Sequence, residues 1–125
     1  KAKPPQADVW EYDLTDGWEV LAGRTAVDND RLTFKVARAN DWWFHVKGVP
    51  GSHVILRSDG ETDPPREILE QAAAVAAWHS KARQGGTVAV CCTQAKHVSK
   101  PRGAKPGTVH SRKDRTFKVK PALPE

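Results

Sequence analysis

The chain has 125 residues, 38% of them apolar, which supports one domain with one core that folds without disulfide or metal staples. It carries a net charge of +5 with no long apolar run and no signal-peptide pattern, which argues against secretion and membrane insertion and for a cytoplasmic protein with a polyanionic partner. The positive charge is concentrated: residues 95–120 hold nine Lys or Arg against one acid, a net +8, while the other 99 residues are net −3.

Residues 1–8, KAKPPQAD, read as a disordered lead-in. VWEYDLTDGWEVLAG alternates as a hairpin with Thr15-Asp16-Gly17 at its turn. NDRLTFKVARAND predicts a short helix capped by Asp28 or Asn29, with Leu32, Val36 and Phe34 toward the core, although LTFKV also fits a strand. DWWFHVKGVPGSHVILR, residues 41–57, predicts two strands around a type II turn at Val49-Pro50-Gly51-Ser52, in the register that pairs Lys47 with His53. That register puts Trp42, Phe44, Val46, Val54 and Leu56 on one face and Trp43, His45, Lys47, His53, Ile55 and Arg57 on the other. Residues 64–83 predict a long Ala-rich helix, capped by Asp63 and closed by Gly85. TVAVCCT reads as a buried strand, with Cys91 and Cys92 on opposite faces and therefore reduced. QAKHVSKPRGAKPG is a basic loop, and TVHS and TFKVK around RKDR predict a last hairpin. The sum is an α+β domain over residues 9–121, followed by a tail at 122–125. Its mainly antiparallel sheet is built from hairpins and packed against one long helix and one short one.

The two-faced ribbon at 41–57 carries the strongest chemical signal. Trp43, His45, Lys47, His53 and Arg57 on one face suit a stacking platform for a base or sugar, with cations for phosphates. A half-wet sheet surface with snorkelling cations is the alternative. Lys96, Lys100, Arg102 and Lys105 add a basic, glycine-containing loop able to hold phosphates, although it lacks the Walker pattern. The five histidines show no metal-ligand spacing, and no cofactor fingerprint is present, so neither a metal nor a cofactor is expected. His45 and His53 could act as acid and base on RNA, but no nucleophile completes such a site, so a non-catalytic role is favoured. Aromatic and Arg-rich faces also fit protein docking.

Residues DWWFHVKGVPGSHVILR, AAAVAAWHSKAR, VSKPRGAKPGTV and TFKVKP together resemble the NFACT-R domain, over roughly Trp18 to Pro121. D-x-W-F-H, P-G-S-H-V, the Ser-Lys-Ala-Arg helix end and K-P-x-G-A-K-P-G stand in the family's order and approximate spacing. The resemblance implies an RNA-binding module linked to translation, as in the ribosome-quality-control factors that extend stalled nascent chains. Structured RNA, tRNA or rRNA, is the expected partner, on the large ribosomal subunit in ribosome quality control or in RNA metabolism. The chain looks like either a stand-alone bacterial member or the excised domain of a long one, and the lead-in running straight into a hairpin favours the stand-alone form. Family positions fall on Asp41, Trp43, Phe44, His45, Gly51, Ser52, His53, Lys100, Pro101, Gly103, Lys105 and Gly107. Trp43, His45, His53, Lys100 and Lys105 are the expected RNA contacts. Charge alone adds Lys47, Arg57, Lys96 and Arg102.

Overall fold

A computed structural model of the chain describes residues 8–124. The lead-in expected at 1–8 therefore lies outside it except for Asp8, as does the last residue of the 122–125 tail. The α+β class holds. A six-stranded antiparallel sheet runs in the order β1-β2-β4-β3-β5-β8, from β1 (Val9–Asp13), β2 (Glu19–Gly23), β3 (Trp42–Val46), β4 (Val54–Leu56), β5 (Val88–Gln94) and β8 (Arg115–Val119). A small ribbon pairs β6 (Val98–Ser99) with β7 (His110–Ser111). No helix among the described residues is long and apolar enough to cross a membrane.

Alternation splits the sheet into two apolar faces. Phe44, Val46, Val54, Leu56, Val90 and Cys92 face α2 (Arg66–Trp78), whose alanines 72, 73, 76 and 77 are fully buried. Small side chains let the helix backbone lie close to the strands. Ile68, Leu69 and Val75 then supply the bulk of its apolar burial, about 1.5–3 kcal/mol each. The opposite face holds Leu21, Trp43 and Ile55. It is covered by α1 (Ala26–Arg31), the π-helical turn Leu32–Val36 that continues it, and Val98 of β6. The π turn, closed by Ala37 N–H to Leu32 C=O at 2.9 Å, turns consecutive residues Leu32 and Thr33 inward. That local widening explains why LTFKV reads as both helix and strand.

Several expectations are corrected. The 41–57 ribbon pairs Phe44 with Val54 and Trp43 with Ile55, two residues away from the predicted register. A two-residue slip preserves alternation, so the two predicted faces survive. Its cause lies outside the ribbon. His53 C=O accepts from Gly23 N–H, and Ser52 N–H donates to His79 C=O, so the turn is drawn toward β2 and the end of α2. The Pro50-Gly51 turn is accordingly not type II. Gly48, not Gly51, takes the left-handed conformation (φ 78°). The cap of α1 is Thr25, which accepts from Asp28 N–H at 3.1 Å and donates to the Asp28 carboxylate at 2.8 Å. α2 starts two residues later than predicted and ends at Trp78. Pro65 stands at its N-cap in place of Asp63, and Gly86, not Gly85, is left-handed beyond it. The expected last hairpin does not form. β7 pairs with β6 and β8 pairs with β5, because Thr93 on β5 holds the intervening loop by donating to Arg112 C=O at 2.7 Å.

Candidate nucleic-acid interface

The covered face of the sheet holds a buried polar knot. His53, 1% exposed, stands edge-on to Trp43 and His45, each at 5.4 Å and 80°. His45 stacks on Trp43 at 6.0 Å and 20°. His53 Nε2 lies 3.1 Å from Gly107 C=O, an acceptor only, so Nε2 carries the proton. Nδ1 then accepts from the Thr33 hydroxyl at 2.9 Å. The ring is neutral: burial, then the neighbouring His45, pushes its pKa down to about 4. Burial also lowers His45, opposed by a hydrogen bond from its ring to the Gly51 carbonyl.

Gly107 anchors the basic loop to this knot. Its N–H donates to Asp30 at 2.9 Å, its φ is +86°, and a Cβ there would stand 3.3 Å from Ala26 Cβ, so glycine is required. Lys100 closes the loop. Its three ammonium hydrogens are taken by Asp30 (2.9 Å), Lys105 C=O (2.5 Å) and Thr108 C=O (2.9 Å). The K-P-x-G-A-K-P-G segment is thus a stapled loop, pinned at both ends. Arg102 and Lys105 lie exposed between the pins, with no ion-pair partner among the described residues.

The nine predicted RNA contacts therefore divide. Lys47, Lys96, Arg102 and Lys105 are exposed. Lys100 is spent inside its loop. Arg57 pairs at 3.3 Å with Asp41, a buried carboxylate that also accepts from Arg38 N–H and Ser58 N–H. Trp43, at 3% exposure, and His53 are buried, and His45 is half-buried. The exposed stacking platform is corrected on this ground: α1, its π turn and the basic loop cover the face that two strands alone would leave open. Sequence reasoning missed Asp30 and Thr33, the partners of Lys100 and His53. They stand 70 and 20 residues from those partners, and no local pattern marks either.

A family model described as NFACT protein RNA binding domain matches residues 9–113. The chain is 40% identical over 121 residues to the Rqc2 homolog RqcH of Bacillus subtilis (strain 168), covering 97% of this chain and 21% of that protein. It is 43% identical over 111 residues to the Rqc2 homolog RqcH of Streptococcus suis (strain 05ZYH33), covering 88% and 20%. Among solved structures it is similar to the C-terminal part of the fibronectin/fibrinogen-binding protein from Streptococcus suis, with a TM-score of 0.85 and 41% identity over 98% of this chain and 48% of that one. The chain spans about a fifth of the length of these curated relatives.

Proposed function

We propose, from the premise that this chain belongs to the NFACT protein RNA binding domain family, that it binds structured RNA, tRNA or rRNA, as a non-catalytic module of ribosome quality control. On this reading it works in the cytoplasm, on the large ribosomal subunit. The observation that supports it best is the division of labour in the basic loop. Lys100 holds the loop in shape, and Arg102 and Lys105 are left free for phosphates. Lys47, Lys96, Arg112 and Lys113 are further exposed cations available to the same polyanion. The alternative of RNA cleavage by His45 and His53 is disfavoured, because both ring nitrogens of His53 are already bonded inside the fold.

The division of labour makes a prediction. Arg102→Gln with Lys105→Gln should weaken tRNA binding, flatten its salt dependence and leave the urea midpoint unchanged. Lys100→Met should also weaken binding, but with a stability loss of about 1–3 kcal/mol, because it removes the ion pair to Asp30 and leaves the Lys105 and Thr108 carbonyls without their donor. For the parent chain, four to six phosphate contacts give a log–log salt slope of about −3 to −4. Salt-insensitive binding, or a Lys100→Met chain as stable as its parent, would refute this account.

A further inference from the structure

Two segments far apart in sequence meet at one end of the sheet. Pro50-Gly51-Ser52 joins β3 to β4, and Ser80-Lys81-Ala82-Arg83 follows α2. Gly51 and Ser80 form an antiparallel bridge, flanked by Ser52 N–H to His79 C=O at 2.8 Å and Lys81 N–H to Pro50 C=O at 2.9 Å. A Cβ on Gly51 would stand 2.8 Å from Ser80 Cβ, so this approach demands glycine. Ser52 Oγ in turn donates to Gly23 C=O at 2.6 Å, which ties in the end of β2 and the segment that starts α1.

These segments enclose an open cleft of about 400 Å³. Trp10 and His79, stacked at 4.1 Å and 9°, form its aromatic wall, and Tyr12 hydroxyl holds His79 Nε2 at 2.7 Å. Three cations line it, Arg24, Lys81 and Arg83, and among the described residues no carboxylate does. Both guanidinium groups are pre-positioned on indole rings. Arg24 lies 4.9 Å from the Trp10 centroid and Arg83 lies 4.4 Å from that of Trp78, with Arg83 Nε–H donating to Trp78 C=O at 2.7 Å. A fork held this way loses little side-chain entropy when it binds a second group. The Arg24–Asp8 pair, 4.0 Å apart and largely exposed, is too weak to hold Arg24 back.

We infer that this cleft is a second phosphate-binding site of the domain, taking a backbone phosphate of RNA between Arg24, Lys81 and Arg83, with the attached sugar or base against the Trp10 wall. The inference rests on the RNA-binding reading above. Two guanidinium forks match phosphate oxygens bidentately, and an indole–imidazole wall suits a nucleoside better than an acidic side chain.

The test measures tRNA binding by the full chain across a salt series. Arg24→Gln with Arg83→Gln should weaken binding about tenfold and flatten the log–log slope by about 1.4. Lys81→Gln should act in the same direction, about threefold, and being exposed it keeps the test valid if the arginine pair disturbs folding. If the Lys81 and Arg24/Arg83 variants bind and titrate like the parent while Arg102→Gln with Lys105→Gln weakens binding, the cleft site is overturned and the RNA reading stands. If the parent does not bind tRNA, both fall. A poly-glutamate competitor bound by the parent and lost in the cleft variants, with tRNA binding unchanged, would assign the cleft to an acidic protein segment and overturn the inference.

Discussion

Trp43→Ala is expected to cost about 3–5 kcal/mol of folding stability, whereas Trp43→Phe costs far less. The indole is 3% exposed and fills the space between Leu21, Leu32, Ile55 and Val98. Removing it leaves a cavity beneath α1 that neighbours pinned by hydrogen bonds cannot collapse to fill. The indole also has a defect: among the described residues its buried Nε1 has no hydrogen-bond partner. Phenylalanine keeps most of the ring and deletes the unpaired N–H, whose burial costs about 1–3 kcal/mol, so it recovers part of what the lost volume forfeits. Urea unfolding of the two variants measures the asymmetry, and tRNA titration at a temperature where both are folded completes it. With the fold intact, Trp43→Phe should bind as the parent does. A Trp43→Ala chain that is as stable as the parent but defective in RNA binding would restore the exposed platform and refute the buried assignment.

The same tryptophan shows what was legible in the sequence. Alternation in DWWFHV and HVIL assigned Trp43, His45, His53 and Ile55 to one face correctly, because side-chain direction in a strand is a local property. What covers that face is not local. α1, its π turn and the stapled loop come from residues 25–36 and 97–110, and they reach the ribbon and each other through long-range pairs such as Thr33–His53, Gly107–His53 and Asp30–Lys100. Lys100 and Lys105 look alike in the sequence, both Lys-Pro in a basic loop, yet one is a staple and the other is exposed. The central strand TVAVCCT was legible for the opposite reason: a short run of apolar and small residues suits a strand with neighbours on both sides. The final hairpin failed because adjacency in sequence was taken for pairing. β8 instead found the open edge of β5.

Acid should loosen this fold well before its carboxylates protonate. His53 has a folded pKa of about 4 against an ordinary 6.5, so between those values the unfolded chain binds a proton that the folded chain refuses. Stability is therefore complete above about pH 6.5 and falls as the pH drops toward 4, by about 1.4 kcal/mol per pH unit and about 3 kcal/mol in all for this one ring. His79, also lowered to about 4 by burial and then by Arg83, acts in the same direction over the same range. Asp28 is lowered by the hydrogen bonds from Asp8 N–H and Thr25, so its contribution is lost only below the ordinary carboxylate range, in a separate and lower window. The consequence reaches the interface. A protonated His53 must either reverse its hydrogen bond with Thr33, whose hydroxyl then accepts, or leave its buried setting, and its other nitrogen is one of the pins of the loop that carries Arg102 and Lys105. Urea midpoints measured from pH 7.5 to 4.5 should fall steadily. Amide exchange at Gly107 and Thr108 should rise with them, ahead of exchange in β5. A flat stability profile across that range, or a His53 ring that titrates near 6.5 in the folded protein, would show that the knot does not hold the ring neutral and that the loop is pinned by Lys100 and Asp30 without it.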